Sequence, residues 1–443
     1  MAQRVIDRVA TTVAHVFYRI DCAGEVPPRG ALILLPNHPN ALLDPALVMA
    51  TCRRPMRFLA KSTLFGGPLA PILNAADAIP VYRRQDGVDV AQNDRTFSAV
   101  GEALGRGQAV CIFPEGISHS SERLEPLRTG AARMALSAAA AGVDVQLVPV
   151  GINLEQKATF RSRVTVAYGA PLHVAPEAAA AYAAGHPAAV KLLTADIASH
   201  MRALLVEADP QADAMLVDRI DRLYRSERPR AADAHTALAR RRAIARAIER
   251  LRAERPEWYG AALVQLRRYD DRLRRFGLRD AALDWEVSPS AARRFAVREV
   301  PLALVLMPVA AASVVVFAAP YGLTSLAAGL SREKDLTATT KVMAGVVIYG
   351  TWVGLLAAAA WSLAGPAAIA VTLFGLPLLA VAGLFAVERE SSAWRTARAW
   401  VALRSARPNT RAALRRRRGE LAMVLDQVGE WMASPGRAPS KRE

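Results

Sequence analysis

His38 and Asp44 stand six positions apart in the stretch L-P-N-H-P-N-A-L-L-D-P, Leu35 to Pro45. A histidine and a carboxylate can share one task. The carboxylate accepts the proton on one ring nitrogen and fixes the tautomer; the other nitrogen then takes a proton from an attacking hydroxyl. That is the base and orienter of a catalytic triad without its serine. On these residues alone a plainer reading stands beside it, an N-capping Asp44 and an unrelated surface histidine.

Chemistry needs a frame, and the flanking residues supply one. Ala31 to Leu35 is a short apolar run that reads as a buried strand, and Pro36 ends it because proline cannot donate to a ladder. Asp44-Pro45 opens a helix through about Ala50. His38 therefore belongs to a loop at a strand's C-terminal end, where α/β sheets bind ligands. The same layout recurs. Arg57–Ala60 ends in Lys61, and Ala78–Val81 runs through Tyr82 to Arg83 and Arg84. Ala109–Phe113 runs into Pro114-Glu115-Gly116 and then Ile117-Ser118-His119-Ser120. Val145–Asn153 and Val164–Tyr168 read as the last strands, with helices over Arg95–Leu104 and Ala131–Ala141. Strands alternating with helices predict an α/β fold, a mixed sheet flanked by helices. Guanidinium groups at a strand end suit phosphate, although on the residues alone the plainer reading of the Arg83-Arg84 pair is a solvated basic turn. Glu115 likewise needs no catalysis if its carboxylate satisfies loop amides.

The formal charge of +17 over 443 residues suits nucleic acid, anionic lipid or phosphorylated substrates. Three scattered cysteines, Cys22, Cys52 and Cys111, build neither a disulfide framework nor a zinc site. No metal cluster is visible in the sequence. Met1 to Ile20 lacks the apolar core of a secretory signal and reads as an amphipathic helix that packs on the domain or touches membrane.

N-H-P-N-A-L-L-D, I-P-V-Y-R, F-P-E-G-I-S-H and V-P-V, in that order, resemble the four motif blocks of the glycerolipid acyltransferases, over about residues 20–170. Five residues separate His38 from Asp44. With L-E-P-L-R-T-G at Leu124–Gly130, this is closest to the glycerol-3-phosphate/dihydroxyacetone-phosphate acyltransferase branch. The arginine that commonly follows F-P-E-G-T is replaced by Ser118-His119. The resemblance implies His38 as general base and Asp44 as its orienter. It implies Arg83 as the holder of the acceptor phosphate, with Lys61 and Arg128 as further basic contacts, and Phe113, Pro114, Glu115 and Gly116 lining the acceptor pocket. The acceptor would be glycerol-3-phosphate, dihydroxyacetone phosphate or, in the next step of the pathway, lysophosphatidate; the donor would be acyl-CoA or acyl-carrier protein as co-substrate, with no cofactor. No enzyme nucleophile is needed, in keeping with the lack of a G-x-S-x-G elbow. A non-catalytic membrane scaffold on the same fold is the reading from another class, and the intact His38/Asp44 pair argues against it.

The rest of the chain changes character. Residues 1–207 form the expected catalytic domain, its end (171–207) alanine-rich and helical, interrupted at Gly185-His186-Pro187. Residues 208–300 mix arginine and acidic residues on amphipathic helices laced with i,i+4 pairs. The interspersed carboxylates argue against nucleic acid. Pro301–Leu330 carries no charge, nor does Val342–Val387, which is long enough for two spans broken near Gly365-Pro366. The first run holds one span, or a helix broken at Pro320 that dips in and returns. Residues 301–387 are thus expected to be transmembrane. The tail 388–443, with thirteen Lys/Arg against six Asp/Glu, reads as a basic amphipathic segment on membrane phospholipid, with Trp394 and Trp400 at headgroup level. The positive-inside rule puts both flanks in the cytoplasm, which requires an even number of crossings.

Overall fold

The computed structural model describes residues 2–41, 43–67, 69–83, 92–119, 121, 123–157, 159–208, 211–229, 233–329, 337–405 and 408–433. Two compact units divide the chain: Met1–Asp218 with Ala231–Arg246 and Glu333–Thr339, and Arg219–Arg230 with Ala247–Arg332 and Thr340–Glu443.

The first unit is built on an eight-stranded sheet. Helix α1 (Ala2–Phe17) leads into β1 (Tyr18–Ala23). Then come β2 (Ala31–Pro36), α2 (Leu43–Thr51), β3 (Met56–Lys61), α3 (Ala70–Ala75) and β4 (Ile79–Val81). Next are α4 (Asn93–Gly105), β5 (Ala109–Cys111), α5 (Gly130–Ala140), β6 (Val145–Leu154), β7 (Ser162–Tyr168), β8 (Leu172–His173), α6 (Pro176–Ala183) and α7 (Pro187–Arg202). The order across the sheet is β1-β7-β6-β2-β5-β3-β4, with β8 also on β6. The β6–β7 and β6–β8 pairs are antiparallel and the others parallel, so the sheet is mixed.

Strand β2 lies in the middle and is buried at all six positions, as a strand covered on both faces must be. Ile33 and Leu35 share a core with Val110 and Leu147 and with the small residues Ala131 and Ala135 of α5. Parallel pairing of β2 with β5 and β6, and of β3 with β4 and β5, brings the C-terminal ends of β2 to β6 to one edge.

Two details differ from expectation. The chain from Tyr18 forms an edge strand rather than continuing the first helix. The helix expected through Ile20 stops at Phe17, and Asp21 in the strand that follows is paired with Arg163 of neighbouring β7 at 2.7 Å. Val164–Tyr168 is also not the final strand, because β8 follows it.

The second unit is helical. Helices α8 (Gln211–Glu227) and α9 (Ala234–Glu254) each begin in the first unit and end in the second. Then follow α10 (Pro256–Arg275), a 3-10 turn (Asp280–Asp284), α11 (Pro289–Gly329), α12 (Thr337–Ala364, in this unit from Thr340), α13 (Ala367–Ser405) and α14 (Pro408–Ala433). Arg219 binds both Asp270 (2.5 Å) and Asp280 (2.9 Å), which ties the middle of α8 to α10 and the turn. Three helices, Pro289–Ala327, Ala344–Ala364 and Ala367–Ser405, are long and apolar enough to cross a membrane. Ser313 of α11 abuts Gly383 of α13 where no side chain fits, and Glu299 pairs with Arg389 at 2.7 Å. One contact partner rises in number as the other falls, so α11 and α13 are antiparallel.

The chain breaks at Gly365-Pro366 as expected, but α11 runs unbroken through Pro320. A proline in a helix leaves the carbonyl four residues earlier without its donor. Here that carbonyl is Val316 O, and the indole Nε1–H of Trp352 on α12 donates to it at 3.0 Å. A neighbouring helix thus supplies the bond that the break would have sacrificed.

Candidate active site

Register carries the site. Leu34 pairs with Cys111 of β5, so the residues two to four positions beyond each partner face one another above the sheet edge. There the His38 ring stacks on Phe113, centroids 4.1 Å apart and 23° from parallel. Asn37 splices the loop onto β6: its amide nitrogen donates to Ile152 O (3.2 Å) and its amide oxygen accepts from Ile152 N–H (2.7 Å).

His38 Nδ1 donates to Asp44 Oδ2 at 2.8 Å, and Asp44 is wholly buried. The same Oδ2 accepts the Asn40 N–H at 2.7 Å. Burial pushes the Asp44 carboxyl up, against the opposing pull of His38 and the Asn40 amide. Asn40 donates in turn to the Tyr18 hydroxyl (2.6 Å), which is bonded to Lys157 O. The loop turns at Ala41, whose φ is +43°, and its N–H is caught by Ser118 Oγ at 2.9 Å. The pair is therefore held from several directions, with His38 Nε2 unbonded among the described residues and 19% of the side chain exposed. A base so arranged can accept one proton from a hydroxyl at Nε2 while Asp44 steadies the imidazolium.

Glu115 works from inside. Its carboxylate is fully buried; Oε1 accepts the His38 N–H (2.7 Å) and Oε2 accepts the Glu125 N–H (2.8 Å). Oε2 also meets His119 Nε2 at 2.5 Å, and His119 N–H reaches back to His38 O at 3.2 Å. Burial would lower the His119 pKa, but hydrogen bonding and charge from Glu115, with Glu125 behind it, outweigh that and raise it. Of the two sequence readings of Glu115, its carboxylate follows the one that satisfies loop amides and is not offered to a ligand.

The cations gather on the β5 side. Arg83, two residues past β4, donates from NH1 to Gly116 O. Arg128 donates its backbone N–H to Pro114 O at 2.7 Å, and its side chain passes so close to Gly116 that a Cβ there would meet Arg128 Cγ at 3.1 Å. Gly116 also has φ +71°, a conformation that favours glycine. Arg83, Arg128, Pro114 and Gly116 thus form one group beside Phe113 and His38. Lys61 closes β3 in register with Val81, at the same edge but a strand away from His38. Arg84 and Ser120 lie outside the described residues. Reasoning on spacing gave no role to Tyr18, Asn40, Ser118 or His119. Only His119 left a signal, four residues after Glu115.

Residues 19–153 match the family model described as Acyltransferase. The chain is 34% identical over 135 residues to glycerol-3-phosphate O-acyltransferase 1 of Saccharomyces cerevisiae, covering 30% of this chain and 18% of that protein. It is 32% identical over 142 residues to a lyso-ornithine lipid O-acyltransferase of Pseudomonas aeruginosa, covering 32% of this chain and 51% of that protein. The match thus spans about a fifth of the yeast relative and about half of the bacterial one. A solved structure, the 1-acyl-sn-glycerophosphate acyltransferase of Thermotoga maritima, aligns at 17% identity and TM-score 0.32, covering 44% of this chain and 78% of that one.

Proposed function

We propose that this chain, whose residues 19–153 are an acyltransferase-family domain, acylates a hydroxyl of glycerol-3-phosphate or dihydroxyacetone phosphate from a thioester donor, acyl-CoA or acyl-carrier protein. The observation that carries the reading is the His38 Nδ1–Asp44 bond at 2.8 Å beside the Arg83–Arg128 group at Gly116. His38 Nε2 takes the acceptor's hydroxyl proton as its oxygen attacks the thioester carbonyl. The tetrahedral adduct collapses, the C–S bond breaks, and the departing thiolate regains the proton from His38. The thioester is already activated, so base catalysis and positioning suffice. Arg83 and Arg128 hold the acceptor phosphate with paired donors, and Lys61 adds positive potential at the edge.

The test is purified full-length protein with labelled acyl-CoA or acyl-carrier protein and a panel of acceptors. Glycerol-3-phosphate or dihydroxyacetone phosphate is expected to be acylated. Acylation of lysophosphatidate alone would move the assignment to the second step, a reading favoured by the match to a lyso-lipid acyltransferase. No acylation of any acceptor would overturn it.

The enzyme we propose is multi-pass, with the catalytic domain in the cytoplasm. Within the second unit the chain before α11 touches the chain after α13. Arg411 and Arg415 donate to Leu283 O at 2.9 and 2.8 Å, and Arg418 pairs with Asp284 at 2.7 Å. Flanks in contact support the reading that both lie on one side of the bilayer, with an even number of crossings. The antiparallel pair α11 and α13 supplies two in this reading, which requires α12, although long enough, not to add a complete third. Cysteine-accessibility mapping that found residues 285 and 415 on opposite faces would overturn this topology.

A further inference from the structure

Sheet order gives the His38 loop two flanks, because β2 lies between β5 and β6. The Arg83–Arg128 group occupies the β5 flank. On the β6 flank lies a pocket walled by Asn37 and Pro39, the immediate neighbours of His38, together with Arg123, Lys157, Asp218 and Arg241. The last two come from α8 and α9, outside residues 19–153, and all belong to the first unit. The α9 segment is seated there by Leu238, which packs with Ala23 and Ala167 of the sheet.

Three cations face one carboxylate in this pocket. Arg241 is 8% exposed and donates from NH2 to Asp218 Oδ1 at 2.6 Å. Its Nε–H is buried and has no acceptor among the described residues. The charge of Lys157 acts on both Asp44 and His119, so the pocket lies within electrostatic reach of the reacting pair.

We propose that this pocket binds one phosphate group of the acyl donor, through Arg241, Lys157 and Arg123. The inference rests on the thioester-donor reading above. Two phosphorylated substrates cannot share one cationic cluster without mutual repulsion, and the two flanks keep them apart with His38 between. The phosphate is that of phosphopantetheine, present in coenzyme A and on a carrier protein alike. In this arrangement the helices following the catalytic domain contribute to the donor site.

The experiment uses the full chain in lipid nanodiscs, with wild type, Arg241→Gln and Asp218→Asn. Binding of coenzyme A, 4′-phosphopantetheine and holo-carrier protein is measured by calorimetry, and KM by turnover. Arg241→Gln is expected to weaken coenzyme A and phosphopantetheine binding and raise the donor KM about tenfold, leaving the acceptor KM within about twofold. Binding of only coenzyme A or only holo-carrier protein identifies the carrier, and in either case the bound species must respond to Arg241→Gln. Should Arg241→Gln not fold, the exposed Arg123→Gln carries the same expectation. Unchanged donor binding, or a rise in acceptor KM instead, would overturn the proposal. So would Asp218→Asn reproducing the loss, since the ion pair would then be purely structural. Wild type that binds coenzyme A in an Arg241-dependent way but acylates nothing would sink the reaction and keep the pocket. Turnover with an unaltered donor KM in Arg241→Gln would do the reverse.

Discussion

Two histidine–carboxylate pairs stand on adjoining loops, and they differ in which nitrogen is spoken for. His38 gives Nδ1 to Asp44 and leaves Nε2 open at the domain surface. His119 gives Nε2 to Glu115, and its Nδ1 is buried without a partner among the described residues. The first imidazole can therefore exchange a proton with a ligand. The second is a fastener: it compensates Glu115, whose other oxygen holds the His38 backbone. The same two residue types serve opposite purposes, and burial of the second ring nitrogen decides which.

Substitutions can break this division of labour. The largest effect is expected from His38→Ala, a fall in kcat of about a thousandfold with the melting temperature unchanged. Substantial residual turnover would remove His38 as the base. Asp44→Asn should lower kcat about a hundredfold by upsetting the tautomer, less than His38→Ala because the imidazole remains. His119→Ala should invert the pattern. It leaves the buried Glu115 carboxylate uncompensated and should cost about 3 kcal/mol in urea unfolding, while kcat falls less than about tenfold. If His38→Ala were the more destabilising and His119→Ala the more inactivating, the assignment would be reversed. Arg83→Ala should raise the acceptor KM about tenfold and leave the donor KM alone; an unchanged acceptor KM would shift phosphate binding to Arg128.

A smaller effect sharpens the contrast by pH. Glu115 and Glu125 raise the His119 pKa above its ordinary 6.5. A group whose folded pKa is raised adds stability that is complete below the unfolded pKa and is lost as pH rises through the folded one. The stability advantage of wild type over His119→Gln should therefore be full below about pH 6.5 and shrink above it. A constant difference across that window would show that His119 holds Glu115 without a proton.

Much of this was legible in the sequence. Ala31–Pro36 reads as a buried strand, Pro36 as its stop and Asp44-Pro45 as a helix start, which is enough to put His38 and Asp44 at a strand's C-terminal edge. The bonds of Glu115 were not legible, because a carboxylate after a strand can face in or out. Only the hydrogen bonds to His38, His119 and Glu125 decide it. Asp218 and Arg241 were hidden more deeply. They sit on helices whose alternating charges read as a solvated surface, and nothing local marks which arginine turns inward. Edge strand β1 was missed because two polar residues in six suit a helix face as well as a sheet edge.

The indole of Trp352 and the ring of Pro320 make a bargain across helices. By withholding its own amide, Pro320 leaves Val316 O open to a donor from outside the helix, and the Trp352 indole on α12 supplies it. Pro320→Ala should close that carbonyl within its own helix and make Trp352→Phe harmless, whereas Trp352→Phe in the native background should loosen the two helices. A residue that disrupts a helix in isolation can thus tie two helices together in company.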